Sequence, residues 1–316
     1  MIIYFSKINL SSTQLFEMYK EEKMFSEMKR SILSYFESGT IYEVEEFYKD
    51  ELGISHPITT KYRLVTGMKS DDYISGFIYK TTTLYYKKLN VTTSEVESRS
   101  IPTIEDVKFY YDINRELVGF HTRHRFGYRE FNDAFAGIIN MCMDKNKSQL
   151  RFSAELYTEG LSIEEINQEL KSINNIKKLE FKFKLPNPVD DELIEDLKEG
   201  LTDTAVELEE ANANAMSVIF DSDGGIGLNI DSGEIQRNIG RVANLTKGLS
   251  DKEAIQNGYV RVVATAKDGK IYTTEEQKPV KREITDEADE NFFKACRDTI
   301  FNILAKKLNQ KQQGTE

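Results

Sequence analysis

The sequence of 316 residues contains no tryptophan, only three histidines and only two cysteines. Cys142 and Cys296 lack the paired spacing of a metal site, and each falls in an apolar helical pattern, so we expect both to be buried and reduced. The scarcity of histidine leaves few candidates for zinc ligation or for acid–base catalysis.

Long hydrophobic runs are also absent. No segment approaches the ~20 consecutive apolar residues that span a bilayer, and the first ten residues become charged too early for a signal peptide. We therefore expect a cytoplasmic protein that does not itself span a membrane. The 18 phenylalanines and 16 tyrosines exclude a disordered, aromatic-poor chain.

Known catalytic and cofactor motifs are missing as well. The glycine-rich stretch at residues 221–227 lacks the later ligands of an EF-hand and the lysine of a phosphate-binding loop, so we interpret it as a loop after a strand. Glu207, Glu209 and Glu210 are typical of a solvated helix face, although such carboxylates also hold Mg²⁺ in nucleases. The sequence favours a binding protein without cofactor, metal or catalytic residues over an enzyme.

The net charge of −11 is distributed unevenly along the chain. Residues 1–150 are almost neutral, whereas residues 151–214 hold 7 basic and 16 acidic residues. This acidity is local, so a basic surface elsewhere remains compatible with it.

Periodicity predicts an α+β fold: two domains built on antiparallel sheets with long flanking helices. In the first domain, residues 1–148, we expect a strand at 2–8, a helix that Ser11 or Ser12 opens and that ends near Phe36, and a meander from residue 41 onwards. A further hairpin of strands at 107–111 and 117–125 and a helix at 131–142 complete this domain.

The second domain is predicted over residues 149–316. A strand at 150–157, a helix opened by a capping box at Ser162 and Glu165, and a strand at 177–185 resemble half of a ferredoxin-like unit. Further predicted elements are a helix ending at residue 199, a strand at 216–221, a helix at 233–247, a hairpin turning at Asp268 and Gly269, and a helix at 286–308.

Three groups of cations are candidates for phosphate contacts. Strand alternation through residues 119–127 places His121, Arg123 and Arg125 on one face, which indicates a solvated strand, a phosphate-contacting surface, or a metal or acid–base site. Lys182 and Lys184 share the polar face of a half-buried strand. Arg237 and Arg241 project together from one helix, where the helix dipole also favours cations.

A resemblance is carried by residues 107–111, Gly119 and Phe120, Arg123, Phe126 and Gly127, and the helix at 131–139. This passage resembles the RexA-like phage-exclusion proteins and a broader group of bacterial proteins found beside phage-defence genes. Later segments recur in the same order, so the similarity covers residues 40–308. The match needs one extra residue between Phe120 and Phe126, and this chain has fewer lysines near Arg237 and Arg241.

The resemblance implies a homodimer that binds double-stranded DNA without sequence preference and signals infection to a membrane-protein partner. Our leading hypothesis is a non-catalytic, DNA-binding sensor or effector of anti-phage defence. The expected phosphate contacts are Arg123, Arg125, Arg129, Lys182, Lys184, Arg237 and Arg241. The alternatives are a metal-dependent nuclease and an acidic interaction subunit that docks a basic partner.

Overall fold

The computed structural model describes residues 1–20, 22–49, 53–89, 96–187, 203–243, 249–285 and 288–313. Across these ranges the chain has the predicted α+β fold, with two antiparallel sheets and flanking helices. The helices are α1 (Leu15–Lys20), α2 (Glu22–Tyr35), α3 (Tyr128–Lys145), α4 (Ile163–Ser172), α5 (Asp203–Glu210), α6 (Gly233–Ala243), α7 (Asp251–Gln256) and α8 (Asp289–Gln313).

The first sheet has the strand order β12-β1-β6-β5-β4-β3-β2, and β7 pairs with β1 beside this path. Its strands are β1 (Ile2–Leu10), β2 (Ile41–Lys49), β3 (Ser55–Lys69), β4 (Tyr73–Leu89), β5 (Val96–Asp112), β6 (Leu117–His121), β7 (Phe152–Leu156) and β12 (Lys281–Glu283). The segment at 107–111, predicted as a separate strand, is the end of β5. Because β4 and β5 have 17 residues each and pair throughout, their hairpin extends beyond the register of β3.

Both faces of the first sheet are partly covered by helices. Phe109 and Tyr111 of β5 are fully buried on the inner face, where α2 and α3 pack. The ring of Phe135 from α3 lies 5.3 Å from that of Phe109. On the outer face, Phe5 of β1 packs with Phe292 of α8. Each fully buried phenylalanine contributes roughly 1.5–3 kcal/mol of hydrophobic stabilisation.

The helix predicted from Ser11 or Ser12 to about Phe36 corresponds to α1 and α2 of the structure. Residue 21, between these two helices, lies outside the described residues. Tyr19 of α1 and Phe25 of α2 are both buried in the core of the first sheet.

The second sheet has the order β11-β10-β8-β9 and is covered by helices on one face. Its strands are β8 (Ile176–Lys184), β9 (Ala215–Asp221), β10 (Val260–Ala266) and β11 (Ile271–Thr273). In β8, Phe181 and Phe183 are fully buried under α4, α6 and α7, and the polar residues alternate with them. The polar side chains of β8 lie on the opposite, open face of this sheet, where they are partly exposed.

The prediction of half a ferredoxin-like unit is wrong in its strand pairing. Its helix is present, with the capping box at Ser162 and Glu165 confirmed. Its two strands, however, belong to different sheets: β7 pairs with β1, and β8 pairs with β9 and β10. β7 joins the first sheet because residues 6–10 on one edge of β1 pair with it, whereas residues 2–4 of β1 pair with β12.

The domain boundary between residues 148 and 149 stays a prediction. Three elements that follow it, β7, β12 and α8, all pair with or pack on the first sheet. The predicted helix ending at residue 199, together with residues 244–247 of the predicted 233–247 helix, lies outside the described residues.

A buried polar cluster joins the two halves of the chain. The Lys7 Nζ lies 2.8 Å from Glu116 Oε2, and only 5% and 3% of these side chains are exposed. The Asn187 Nδ2 donates to the same Glu116 oxygen at 2.8 Å, and the Asn187 Oδ1 accepts from the Leu10 amide at 2.8 Å. These contacts tie β1 to the segment that follows β8.

Candidate nucleic-acid interface

The corner between β6 and α3 presents three of the predicted phosphate contacts. Phe126 is fully buried and packs against Tyr62, with ring centres 5.6 Å apart, so it anchors the connecting segment. Two backbone hydrogen bonds join Arg123 and Phe126, and they hold this segment in a tight turn. Arg123 and Arg125, both within this turn, are exposed.

The cations of this corner differ in their partners. The Arg123 Nε donates to the Asp106 carbonyl at 3.3 Å, and its guanidinium lies 3.9 Å from the Asp106 carboxylate. Arg129 forms an ion pair with Glu276, which also accepts a hydrogen bond from the Tyr128 hydroxyl at 2.8 Å. In the part of the chain that the structure describes, Arg125 forms no ion pair.

The predicted strand face through Arg125 is wrong, because β6 ends at His121 and the alternation ends with it. His121 is 1% exposed, and its Nδ1 accepts a hydrogen bond from the Lys108 amide at 3.0 Å. Burial, together with the charge of Arg123, lowers the pKa of His121 to about 4. This imidazole is neutral at pH 7 and lies in the core, not on a phosphate-contacting surface.

The open face of the second sheet carries the next two predicted contacts. Lys182 projects from this face and lies directly opposite Arg261 in the β8–β10 register. Lys184 forms an ion pair with Glu155 of β7 and donates to the Ser153 Oγ at 3.2 Å. Its side chain is 14% exposed. Lys184 therefore joins the two sheets, whereas Lys182 forms no ion pair with any described residue.

A single-turn 3-10 helix, Thr274–Glu276, connects the corner to the open face. Its Glu276 pairs with Arg129, and its Glu275 lies 3.0 Å from the Arg261 guanidinium. Glu275 also lies near Glu155, and burial together with the charge of this second carboxylate raises the pKa of Glu275 to about 7 despite the opposing charge of Arg261. This short segment therefore links cations of the first sheet to cations of the second.

The remaining two predicted contacts lie elsewhere. Ile235 and Ile239 of α6 are buried in the core beneath the helix-covered face of the second sheet, opposite to the face of Lys182. Arg237 lies 3.0 Å from Glu234 and Arg241 lies 3.4 Å from Glu207. The seven predicted residues thus do not form one surface: α6 and the open face are separated by the sheet.

Two further cations belong to this surface and were missed in the sequence. Arg261 alternates with buried valines in β10, and only the register beside Lys182 reveals its position. The Lys80 Nζ lies 2.7 Å from Glu130 and 2.5 Å from the Arg125 carbonyl oxygen. Lys80 and Arg125 line a small cavity with Thr82, Thr103 and Glu105.

We name the resulting feature the η surface. It consists of the corner cations, the 3-10 helix and the open face of β8 and β10, and its members are Lys80, Arg123, Arg125, Arg129, Lys182, Lys184, Arg261, Glu275 and Glu276. It carries both signs of charge, because most of its cations are paired with carboxylates. The η surface can bind a polyanion only where a phosphate replaces a carboxylate, or where a phosphate reaches a cation that has no carboxylate partner.

The described ranges hold neither a metal cluster nor a membrane-spanning helix. No three His, Cys, Asp or Glu side chains among the described residues lie close enough together to hold a metal ion. No helix within those ranges is long and apolar enough to cross a bilayer. Cys142 and Cys296 are free and buried, which confirms the expectation from their helical patterns.

A family model described as a domain of unknown function (DUF4747) matches residues 53–301, which is most of the chain. The matched region contains every member of the η surface and most of both sheets, but begins after β1 and β2. No curated protein matches the chain significantly.

Proposed function

We propose that this chain, which belongs to the family described as a domain of unknown function (DUF4747), binds double-stranded DNA without sequence preference through the η surface. The observation that carries the proposal is the chain of contacts through Thr274–Glu276, which brings cations from both sheets to one place. Binding is non-catalytic and needs no cofactor.

The exposed ion pairs of the η surface are suited to exchange. Arg129 is 72% and Glu276 34% exposed, and Arg123 and Asp106 are 42% and 40% exposed. Ion pairs in water contribute only ~0–1 kcal/mol, so a DNA phosphate replaces such a carboxylate at little cost. Arg125 and Lys182 need no exchange, because neither is paired with a described carboxylate. These two cations are the primary phosphate contacts.

Lys184, Arg237 and Arg241 have other roles in this proposal. Lys184 and Glu155 are only 14% and 19% exposed, so their ion pair holds the sheets together and does not open for DNA. Arg237 and Arg241 lie across the second sheet from Lys182 and contribute nothing to the same contact.

The test compares two matched double variants by fluorescence anisotropy with a short duplex of mixed sequence, from low to physiological salt. Removal of one cation that neutralises a phosphate reduces the slope of log affinity against log salt by about 0.9. We expect Arg125→Ala with Lys182→Ala to weaken binding and to reduce this slope by about two. Arg237→Ala with Arg241→Ala is the control and leaves both quantities unchanged.

Two results contradict the proposal. The first is an absence of binding by the unaltered chain even at low salt. The second is an equal weakening in the two double variants, since that places the contact away from the η surface. Incubation with plasmid and Mg²⁺, with and without chelator, separates simple binding from the nuclease alternative. Co-purification of a basic partner without any affinity for DNA favours the interaction subunit.

The biological setting is proposed from the RexA-like resemblance. A homodimer bound to DNA acts as a sensor or effector of anti-phage defence and passes its signal to a membrane-protein partner. Light scattering on the purified chain measures the predicted dimer. Loss of phage exclusion in cells carrying the Arg125 and Lys182 double variant, with unchanged protein level, tests whether DNA binding serves defence.

A further inference from the structure

A cavity of about 410 Å³ lies between the C-terminal end of α4 and the β10–β11 hairpin. This volume is in the range of small-molecule sites in proteins. Ile173, Ala266 and Ile271 give the cavity apolar walls. The polar groups that line it are Glu169, Ser172, Asn174, Asp268, Lys270, Tyr272 and Gln277. It shares no residue with the η surface, so it is independent of the proposed DNA contact.

Tyr272 lines this cavity and carries a hydrogen-bond donor that is unused within the described residues. The residue is only 8% exposed, and its buried hydroxyl has no hydrogen-bond partner among the described residues. A buried hydroxyl without a partner costs roughly 1–3 kcal/mol, which a bound acceptor atom recovers. Burial and the nearby charges of Glu169 and Glu165 raise the pKa of Tyr272, so the phenol keeps its proton at neutral pH.

The charge of the cavity is negative. Glu169 and Asp268 both line it, and neither forms an ion pair with a described residue. The carbonyl end of α4 also faces this region, because Ser172 and Ile173 close the helix there, and a helix C-terminus carries a partial negative charge. Lys270 lines the cavity as well, yet only its backbone amide contacts the Asp268 carboxylate, at 3.0 Å.

We propose that this cavity binds a small organic amine that also carries an oxygen acceptor. The ammonium group is held by Glu169 and Asp268, the carbon skeleton lies against Ile173 and Ile271, and the oxygen accepts a hydrogen bond from the Tyr272 hydroxyl. Charge, apolar walls and the unused Tyr272 donor each select one part of such a molecule.

The test uses three related probes in isothermal titration calorimetry: tyramine, phenethylamine and 4-ethylphenol. Tyramine has the ammonium, the ring and the oxygen, phenethylamine lacks the oxygen, and 4-ethylphenol lacks the ammonium. We expect saturable binding of tyramine, with affinity about tenfold lower for each of the other two, since each lacks one polar group.

Two variants assign these differences to residues. Tyr272→Phe removes only the hydroxyl, so it is expected to bind tyramine and phenethylamine equally. Glu169→Gln with Asp268→Asn is expected to weaken tyramine binding by about tenfold or more. Glu164→Gln is the matched control, because Glu164 lies on the same helix, is exposed and does not line the cavity.

The unfolding temperature of each variant is measured first, and a variant is interpreted only if it unfolds like the parent chain. The proposal is overturned if no probe binds saturably to the parent chain. It is also overturned if tyramine and 4-ethylphenol bind alike, or if Glu164→Gln weakens tyramine binding as much as the cavity variants do. DNA binding is unaffected in every case, so this result is separate from that of the proposed function.

Discussion

Glu275 beside the second sheet lies 3.0 Å from the Arg261 guanidinium, and the nearby Glu155 carboxylate of the first sheet helps to raise its pKa. Two neighbouring carboxylates repel each other less when one of them holds a proton. Lys184 pairs with Glu155 and Arg261 with Glu275, so each carboxylate also has a cation. The stability of the junction therefore depends on the protonation of Glu275.

The first prediction is a fall in stability between about pH 5 and 7. The pKa of Glu275 rises from 4.5 to about 7 on folding, so the native state binds more protons than the unfolded state in this interval. The stabilisation that Glu275 contributes is fully present below its pKa in the unfolded state. It is lost as the pH rises through its pKa in the folded state. The contribution is on the order of 2 kcal/mol.

Urea unfolding from pH 5 to 8 measures this effect. Glu275→Gln cannot ionise, so its unfolding free energy is expected to vary less with pH than that of the parent chain. Glu276→Gln is the control, because Glu276 pairs with the exposed Arg129 outside the junction. An equal pH slope in the parent chain and in Glu275→Gln contradicts the prediction.

Local sequence patterns predicted the individual helices and strands of this fold better than they predicted which elements pair or pack together. The alternation of β8 and the capping box at Ser162 follow from residues close in sequence, and the structure has both. The capping box at Ser250 and Glu253, which opens α7, has the same spacing and was overlooked in the sequence. Signals of this kind depend only on local backbone geometry.

The candidate site depends on pairings that no local pattern encodes. Arg261 reaches Lys182 only because β10 lies beside β8 in one register, and residues far apart in sequence meet there. The burial of His121 under Phe292 of α8 likewise depends on how the end of the chain folds back on the first sheet. The alternation predicted which strand face carries cations, but it did not predict which carboxylates pair with those cations.

The second prediction concerns the buried ion pair between Lys7 and Glu116. Lys7→Met removes the cation and leaves the Glu116 carboxylate buried with Asn187 as its remaining donor. Breaking a buried pair by removing one partner costs about 3–5 kcal/mol. Denaturant unfolding is expected to show a loss of this size.

Glu116→Gln in the Lys7→Met background separates the broken pair from the stranded charge. The substituted amide is neutral, so the double variant is expected to recover part of the stability that Lys7→Met removes. A double variant that is less stable than Lys7→Met alone argues against a stranded charge as the cause.

The third prediction compares two glycines whose replacement by alanine has opposite effects. At Gly119 of β6, an added Cβ would lie 2.8 Å from the Cys296 Sγ and 3.0 Å from the Phe5 ring. Both neighbours are fully buried, so Gly119→Ala forces the sheet and α8 apart and costs on the order of 1–3 kcal/mol. At Gly240 of α6, an added Cβ meets no described atom within 4 Å.

Because alanine favours a helix by about 1 kcal/mol over glycine, Gly240→Ala is expected to stabilise the chain. Thermal unfolding of both variants beside the parent chain measures the two signs. The packing of α8 on β6 is refuted if Gly119→Ala unfolds at the parent temperature.

The fourth prediction tests how the two halves of the chain depend on each other. A fragment of residues 1–148 lacks β7, β12 and α8, so one edge of β1 has no strand partner and Ile3, Phe5 and Leu117 are no longer covered by Phe292 and Cys296. Each Å² of apolar surface that is exposed in this way lowers the free energy of unfolding by about 25 cal/mol. We expect the fragment to unfold without a cooperative transition and to bind a hydrophobic dye, whereas the full chain unfolds cooperatively. A fragment that melts cooperatively with little dye binding shows instead that residues 1–148 form an independent domain and that the later elements only dock on it.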